Sequence, residues 1–385
     1  MYSKKLFRTS TIPLSLNVLL QGQLKFLSQN FAITAISGSG KDLEEVKRRE
    51  GVSVYEIEMQ RQISPLKDFI SLLSLYFYFR KEKPQIVHSI TPKAGLLSML
   101  AAKLAGVPVR MHTFTGLIFP SRTGIMQKLL IKMDQVLCWA ATNIYPEGKG
   151  VKNDLIKFNI TSKPLKIIAN GNVNGIDTSF FNRENVSDDE KRILKDKLGV
   201  LDSDFVFIFV GRLVKDKGTN ELVEAFSNLK SHNLKLLLVG PFEQELDPLL
   251  PETLAEIEQN KNIITVGFQK DVRPYFAISD ALVFPSYREG FPNVVMQAGA
   301  MELPSIVSDI NGCNEIIVNE KNGVIIPVKN TITLQEEMQR LMSDKIRYEF
   351  LKKNSRSMIL SRYSQELVWN ELLKEYQHLL KEKNV

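Results

Sequence analysis

The chain alternates short apolar runs with amphipathic segments, and this pattern constrains the fold more than any other feature of the sequence. In the first half, six runs have the length and composition of buried strands: residues 4–9, 31–37, 52–59, 85–90, 107–114 and 166–170. Helical patterns lie between them, at residues 41–50, 66–82 and 94–105. A β–α–β order of this kind predicts a parallel, doubly wound sheet whose crossovers bring the connecting loops to one edge.

The second half repeats the plan. Six further strands are predicted, at residues 205–211, 234–240, 262–268, 281–286, 304–309 and 323–327, with helices at 218–230, 246–260 and 271–279. Residues 170–181 are rich in Asn and Gly, which favour turns, and mark the join. The sequence therefore predicts an α/β protein with two tandem Rossmann-like domains, 1–177 and 178–363, that face each other across a cleft. A helix over residues 364–385 follows.

Composition sets broad limits on the protein. A chain of 385 residues with 44% hydrophobic and 24% charged residues has enough apolar material for two or three soluble domains. The two cysteines, Cys138 and Cys313, provide no disulfide framework, which favours a reducing cytoplasm. No stretch reaches the roughly 18 consecutive apolar residues that a membrane-spanning helix needs.

Positive charge is concentrated in the first half. Residues 1–177 carry 24 Lys and Arg against 12 Asp and Glu, a net charge of +12, whereas residues 178–385 carry 26 against 31, a net charge of −5. This asymmetry reflects either chance surface charge or an anionic partner, such as a phospholipid surface or a pyrophosphate-linked acceptor. Nucleic acid is disfavoured as a partner, because no basic motif of a nucleic-acid-binding module is present.

Two amphipathic segments bear on the question of membrane binding. Residues 66–83 interleave apolar and aromatic side chains and end in Arg80, Lys81 and Lys83, and residues 125–139 are similar in character. Each is either a core helix or a helix that lies on the inner leaflet, with its basic end on anionic lipid. The second interpretation places the protein peripherally on the cytoplasmic face of the membrane.

Residues 286–304, SYREGFPNVVMQAGAMELP, combine a turn and a helix start directly after a strand. The strand ends at Pro285, and Asn293 is a favourable N-cap for the helix. Backbone N–H groups and the positive end of a helix then lie at the carboxyl edge of a sheet, where ligands of open α/β sheets bind. Glu289 in the turn and Gln297 in the helix can both face one ligand.

This stretch resembles the acidic-pair signature of retaining, nucleotide-sugar-dependent glycosyltransferases of the GT-B fold, family 4. In that family one Glu contacts the donor sugar, and a second Glu, after seven intervening residues, contacts the ribose hydroxyls. The resemblance assigns the first role to Glu289, but Gln297 stands at the second position. Its amide can bond a ribose hydroxyl without the charge that strengthens the bond, so we expect weaker donor binding or an altered donor preference. The neighbouring donor-binding residues implied by the resemblance are Gly290, Phe291, Pro292 and Asn293.

A second stretch, VGRLVKDKGTNELVEAF from Val210, supplies cations. Gly211 ends a strand and allows close approach of the backbone, and Arg212 and Lys217 can neutralise a diphosphate. Taken alone, the two charges could equally be solvated surface groups. The resemblance implies that they hold the donor pyrophosphate and steady the leaving nucleoside diphosphate. It also implies that residues around Phe268 contact the base, which we expect to be uracil.

The resemblance extends to the first domain, whose loops are similar to those of the bacterial subgroup that builds capsular and O-antigen repeats. A lone His after an apolar run, as at His112, is more often structural, but the family places a His here on the donor sugar. Gly116 allows a turn beside it. Acceptor residues are expected in the loops at the strand ends: Ser10, Thr11, Ser15, Thr91 and Lys93. Thr91 can cap a helix, and Lys93 is either an exposed lysine or a phosphate ligand.

Metal ligation is not expected. The four histidines show no paired metal-binding spacing: His88, His112, His232 and His378. The Asp-x-Asp at residues 202–204 lies in a polar turn before a strand. Because Arg212 and Lys217 can offset the charge of the leaving group, we expect an enzyme without a metal cofactor.

The sequence thus predicts a retaining glycosyltransferase with His112, Glu289, Arg212 and Lys217 at its catalytic centre. It would move a hexosyl or N-acetylhexosaminyl group from a UDP-sugar to a saccharide carried on undecaprenyl diphosphate. The resemblance further implies that the final helix packs back towards the first domain. Two alternatives remain open: a non-catalytic nucleotide-sugar-binding or regulatory subunit, which Gln297 suggests, and a UDP-sugar epimerase, whose expected acidic and His pattern is not found.

Overall fold

The computed structural model describes residues 4–60, 62, 64–230, 233–243, 245 and 247–385. The strands in chain order are β1 (Lys5–Thr9), β2 (Ala32–Ser37), β3 (Ser53–Glu56), β4 (Ile86–Ser89), β5 (Val109–Phe114), β6 (Asn143–Pro146), β7 (Phe205–Val210), β8 (Leu234–Val239), β9 (Ile263–Gly267), β10 (Ala281–Phe284), β11 (Ser305–Ser308) and β12 (Gly323–Ile326). The helices are α1 (Pro13–Leu19), α2 (Gln23–Leu27), α3 (Lys41–Glu50), α4 (Pro65–Glu82), α5 (Pro92–Leu104), α6 (Gly124–Ala140), α7 (Lys149–Lys157), α8 (Asp188–Leu198), α9 (Thr219–Ser227), α10 (Pro251–Gln259), α11 (Arg273–Ala277), α12 (Asn293–Ala300), α13 (Cys313–Ile316), α14 (Thr331–Ser343), α15 (Lys345–Tyr363) and α16 (Gln365–Glu382).

The first unit comprises Met1–Gly175 and Gln365–Val385, so the C-terminal helix α16 belongs to it. Its sheet is parallel throughout, in the order β3-β2-β1-β4-β5-β6. The strand order reverses between β1 and β4, and the loops that leave these two strands therefore diverge. A crevice at such a switch point, outside the carboxyl ends of the strands, is where ligands of open α/β sheets bind.

Five of the six strands predicted for the first unit are confirmed, and the sixth is wrong. Residues 166–170 form no strand, and the edge of the sheet is instead β6, which the sequence did not predict. Leu165 touches this strand only through an isolated bridge to Ile144. β6 escaped detection because it is four residues long and ends in Pro146, which is disfavoured in strands away from edges.

The second unit comprises Ile176–Ser364 and repeats the architecture with a parallel sheet in the order β12-β11-β10-β7-β8-β9. Its order reverses between β10 and β7, which are direct neighbours. All six predicted strands are confirmed, because each is an apolar run. Five of them are buried along most of their length, whereas β9, at the edge of the sheet, is partly exposed. The units divide after Gly175 and Ser364, whereas the sequence placed the boundaries after residues 177 and 363.

The observed helix boundaries agree less well with the boundaries predicted from the sequence. The helix predicted over 246–260 begins outside the described residues, and α10 starts only at Pro251. The prediction that Asn293 is an N-cap is wrong. Pro292 holds that position with an extended backbone (φ −73°, ψ 110°), and Asn293 is the first helical residue. The reason is local: the fixed φ of proline ends the preceding turn one residue earlier than the polar side chain suggested.

Candidate active site

The switch point of the second sheet brings together two of the predicted catalytic residues. Lys217 lies in the loop after β7 and Glu289 in the turn after β10, and the Lys217 ammonium bonds the Glu289 carboxylate directly. Ser286 Oγ donates to the same carboxylate oxygen at 2.9 Å. The two charged side chains are only 18% and 16% exposed, so water screens this ion pair less than it screens a surface pair. The edge of the sheet thus carries a fixed cation beside a fixed carboxylate.

Two glycines allow the loops to approach this closely. Gly218, next to Lys217, has a φ of +71°, and a Cβ there would lie 2.1 Å from the carbonyl oxygen of Pro285. Gly312 has a φ of +75°, and a Cβ there would lie 2.5 Å from the carbonyl oxygen of Gly290. A side chain at either position would push apart the segments that hold the Lys217–Glu289 pair.

Arg212 and Gly211 also lie at this edge. The Arg212 side chain is 48% exposed, and its Nη1 lies 2.6 Å from Glu243 Oε2. A guanidinium has five N–H donors, so this ion pair leaves donors for a diphosphate. The backbone of Gly211 packs directly against the backbone of Gly240. A Cβ at Gly240 would stand 1.7 Å from the Gly211 carbonyl oxygen.

The remaining predicted donor residues differ in exposure. The side chain of Phe291 is buried, and its ring packs edge-on against Tyr363 with centroids 5.5 Å apart. Any ligand contact of Phe291 must therefore come from its backbone, as it must for the buried Pro292. Phe268, just after β9, is 75% exposed and offers a free ring face.

Helix α12 presents one partly exposed face. Asn293 and Gln297 lie one turn apart on that face, while Val295 and Met296 point into the core. Gln297 is therefore placed to meet a ligand that lies over the helix start. The sequence expectation for its role at the ribose stays a prediction.

The predicted acceptor residues meet at the switch point of the first sheet. Thr11, Ser15, Thr91 and Lys93 line one cavity of about 310 Å³, whose walls are mostly apolar. The Ser10 hydroxyl instead donates to the carbonyl oxygen of Ile12 at 2.7 Å and serves the loop itself. The volume is in the range of small-molecule pockets.

The two threonines in this cavity hold the loops after β1 and β4 together. Thr11 N–H donates to Thr91 Oγ1 at 2.8 Å, and the two hydroxyl oxygens are also 2.8 Å apart. Ala94 N–H, in the first turn of α5, donates to Thr11 Oγ1 at 3.1 Å. Thr91 holds the N-cap position, but its side chain makes no cap bond, and Thr11 caps the helix from the other loop.

Lys93 is not the exposed lysine that one interpretation of the sequence expected. Its side chain is 8% exposed, and its ammonium lies 2.8 and 2.9 Å from the two carboxylate oxygens of Asp68. It also donates to the backbone carbonyl of Gln62. Asp68 offsets most of its charge, and phosphate binding by Lys93 stays a prediction.

His112 has the surroundings of a core residue. It is 1% exposed, its Nδ1 lies 2.8 Å from Ser89 Oγ, and its ring packs edge-on against Phe114. A Cβ at Gly95 of α5 would lie 2.5 Å from the His112 ring. Burial lowers the pKa of His112 to about 3, so the ring is neutral near pH 7. Its predicted contact with a donor sugar stays a prediction that these contacts do not support.

Asp134 is a candidate residue that sequence reasoning missed. It lies on α6 and lines the same cavity as Thr11 and Thr91. Burial raises the pKa of Asp134 to about 7, far above the usual range of an aspartate. A single acid in the apolar helix pattern of residues 125–139 was the signal that could have found it, because an acid on such a face is costly unless it serves a site.

Within the described ranges, no group of three or more His, Cys, Asp or Glu side chains is placed to hold a metal ion. His232, one of the four histidines considered from the sequence, lies outside those ranges. Cys138 and Cys313 are both buried free thiols.

Helix α4 carries an apolar stripe on its outer surface. Ser71, Leu75 and Phe79 point into the core, and the opposite face is exposed. The exposed apolar side chains are Leu66, Phe69, Ile70, Leu73 and Phe77. The exposed basic side chains at the end of the helix are Arg80, Lys81 and Lys83. In the part of the chain that the structure describes, no helix has both the length and the apolar content for a bilayer crossing.

Two family models match the chain. The model described as "Glycosyl transferases group 1" matches residues 190–358, and the model described as "Glycosyl transferase 4-like" matches residues 15–146. The first contains the loops of Lys217 and Glu289, and the second contains His112 and most of the acceptor cavity. The two matches lie in different units.

Three similar proteins place these matches in context. The capsular polysaccharide biosynthesis glycosyltransferase CapM of Staphylococcus aureus is 32% identical over 388 residues, which cover 99% of each chain. The UDP-Gal:alpha-D-GlcNAc-diphosphoundecaprenol alpha-1,3-galactosyltransferase of Escherichia coli is 32% identical over 313 residues, or 79% of this chain and 78% of the relative. The crystal structure of Anabaena HepE in complex with UDP and glucose superposes with a TM-score of 0.82 at 15% identity, covering 97% of this chain and 100% of the other. At that identity the likeness concerns the fold alone, which is GT-B.

Proposed function

Because this chain belongs to the glycosyl transferases group 1 family, we propose that it is a retaining, UDP-sugar-dependent hexosyl- or N-acetylhexosaminyltransferase of surface polysaccharide biosynthesis. Its acceptor would be a saccharide on undecaprenyl diphosphate, the carrier in the name of the Escherichia coli relative. The observation that carries the proposal is the shielded Lys217–Glu289 pair at the switch point of the second sheet. A cation for the diphosphate and a carboxylate for the sugar lie side by side there.

In the proposed reaction, the bond between the sugar C1 and the UDP oxygen breaks while the acceptor oxygen bonds C1 on the same face. The proton of the acceptor hydroxyl leaves with the departing diphosphate. Lys217, together with Arg212 in the loop after the same strand, stabilises the negative charge that builds up on the diphosphate. Glu289 accepts hydrogen bonds from sugar hydroxyls and, through its bond to Lys217, holds the ammonium in place. Retention then requires no covalent intermediate on the protein.

We also propose that the reaction is independent of a metal ion. Lys217 and Arg212 supply positive charge at the place where a divalent cation would otherwise be needed. Activity should therefore survive EDTA, and a requirement for added Mg²⁺ or Mn²⁺ would contradict this part of the proposal.

The proposal is tested first by donor binding and then by transfer. One or more UDP-sugars should raise the melting temperature of the purified protein, because a ligand that binds only the folded state stabilises it. The same UDP-sugar should release UDP and label a lipid-linked saccharide in membrane extract, with the anomeric configuration of the donor kept in the product. UDP-sugar binding without transfer would favour the non-catalytic alternative, and an inverted product would contradict retention.

We further propose that the first unit binds the cytoplasmic face of the membrane through the exposed stripe of α4. An apolar helix face with a basic end suits an interface that contains anionic lipid. The protein should float with phosphatidylglycerol vesicles, and the double substitution Phe69→Ser, Phe77→Ser should release most of it. Phe350→Ser, which removes an exposed ring from α15 in the other unit, is the matched control. Equal flotation of all three proteins would contradict the proposal.

A further inference from the structure

The cavity at the switch point of the first sheet has walls that do not suit a sugar. Leu96, Phe114, Leu117, Leu130 and Met133 line it. A saccharide carries a hydroxyl on most of its carbons, and each hydroxyl buried without a partner loses its bonds to water. A hydrocarbon chain has no such bonds to lose and gains by leaving water. The walls therefore match a hydrocarbon better than a sugar.

Helix α6 connects this cavity to the outer surface. Ile125, Met126 and Leu129, in the first turns of the helix, are exposed. Leu130 and Met133, one turn further on, line the cavity. Residues spaced in this way lie along one side of a helix, so α6 offers a continuous apolar path from solvent to the cavity.

Polar groups occupy one part of the same cavity. Thr11, Ser15 and Thr91 contribute hydroxyls, Asp134 contributes a carboxyl group, and Lys93 contributes an ammonium that is bonded to Asp68. A ligand that fits has a hydrocarbon portion joined to a group that forms hydrogen bonds. An isoprenyl diphosphate has this division of chemistry.

We infer that this cavity binds the isoprenoid segment next to the diphosphate of the acceptor lipid, and that the isoprenoid reaches the cavity along α6. The inference rests on the proposed function, in that it takes the acceptor to be linked to a polyprenyl diphosphate. It goes further by assigning recognition of the lipid, and not only of the saccharide, to Leu130 and Met133. The enzyme then distinguishes a lipid-linked acceptor from the same saccharide free in water.

Farnesyl diphosphate, a short and soluble isoprenyl diphosphate, is the probe, and inorganic pyrophosphate and farnesol are the comparison ligands. Wild-type protein should bind farnesyl diphosphate more tightly than either. Leu130→Gln and Met133→Gln should each weaken that binding by about tenfold, since each places a polar amide against the farnesyl hydrocarbon. Leu104→Gln, at an exposed position of α5, is the matched control and should bind as wild type does. Pyrophosphate binding as tight as that of farnesyl diphosphate would overturn the inference, as would unchanged binding by both cavity variants.

A second measurement needs no substitution. A benzophenone analogue of farnesyl diphosphate, irradiated with the wild-type protein, should label peptides that line the cavity, above all those of α6 (Gly124–Ala140). Labelling confined to segments that do not line the cavity would overturn the inference. Failure of the proposed function looks different, because no UDP-sugar would then shift the melting temperature and no lipid would be glycosylated. If wild-type protein glycosylates lipid-linked and free saccharides equally well, the function stands and the inference falls.

Discussion

The two domains place a site at the same point of the same topology, yet the loops there carry opposite chemistry. In the second domain, the loops after β7 and β10 meet through Lys217 and Glu289, two charges that are both mostly buried. In the first domain, the loops after β1 and β4 meet through Thr11 and Thr91, two hydroxyls beside an apolar cavity. Strand order fixes where a ligand can bind, whereas loop residues decide which ligand it is.

The electrostatic consequences differ in the same way. Lys217 and Glu289 form an ion pair in which each charge of low exposure has a partner of opposite sign. In the cavity of the first domain, Asp134 is held in an apolar wall, and burial raises its pKa to about 7. The site of the second domain is built around an ion pair, whereas the site of the first domain is built around an apolar cavity with a polar part. Four substitutions test this contrast.

The largest effect is expected for Lys217→Met. The substitution removes the cation that would face the diphosphate and leaves Glu289 largely buried without its counter-charge. Loss of one such electrostatic contact should lower kcat/KM by about 100- to 1,000-fold. Lys215→Met removes an exposed ammonium two residues away and should change kcat/KM little. If both variants have the same steady-state kinetics, the pair is not the donor site.

Gly218→Ala should show how far the charged site depends on backbone contact. Alanine at a φ of +71° costs about 1–2 kcal/mol, and the collision of its Cβ with the carbonyl oxygen of Pro285 adds to this cost. We expect a loss of unfolding free energy of about 2–4 kcal/mol, together with weaker UDP binding. Gly199→Ala is the control, because Gly199 has a φ of +65° and a Cβ there would meet no other atom within 4 Å. Equal losses of stability in urea unfolding would mean that the collision is relieved at no cost.

Much of the fold could be predicted from the sequence, because buried parallel strands are continuous apolar runs. β7 and β8 are such runs, and each was found almost residue for residue. The exception, β6, holds too few apolar residues to be recognised, and the apolar run at 166–170 only flanks it. An edge strand is stabilised by a neighbour on one side, so its own sequence carries less of the signal.

The residue types of the candidate site could be predicted from the sequence, but most contacts between its residues could not. Lys217 and Glu289 were each identified by type and position, but their direct bond joins residues 72 apart in sequence, and only the folded sheet brings them together. The same limit applies to Lys93, whose partner Asp68 lies on another helix. Asp134 was missed because its importance comes from the apolar walls around it, which belong to three other segments of the chain.

Asp134→Asn should stabilise the protein in a way that depends on pH. The folded-state pKa of Asp134, about 7, lies above its ordinary value of 3.8, so the folded protein binds the extra proton. Stability contributed by this proton is present below pH 4 and is lost as the pH rises towards 7. The variant should therefore match wild type near pH 4 and be more stable by about 4 kcal/mol at pH 8, since each unit of pKa shift corresponds to about 1.4 kcal/mol. Urea unfolding at the two pH values measures this difference.

The Cys138 thiol, which lies one turn from Asp134 on α6, does not add to the change in stability between pH 4 and pH 8. Burial raises the pKa of the Cys138 thiol to about 12, so the thiol does not titrate near neutral pH. A stability difference that is the same at pH 4 and pH 8 would mean that Asp134 stays charged throughout and that the cavity is better hydrated than its walls indicate.

The smallest effect is expected for Gln297→Glu, which adds a negative charge to the domain that already carries the Lys217–Glu289 pair. Gln297 lies on the partly exposed face of α12, one turn after Asn293. If it contacts the ribose, a carboxylate should bond the hydroxyls more strongly than the amide does, and UDP affinity measured by calorimetry should rise by about three- to tenfold. Gln339→Glu, which adds the same charge at an exposed position of α14, is the control and should leave UDP affinity unchanged. A loss of UDP affinity in Gln297→Glu alone would show that the amide is matched to its own donor. A neutral residue near the charged site would then set the affinity for that donor.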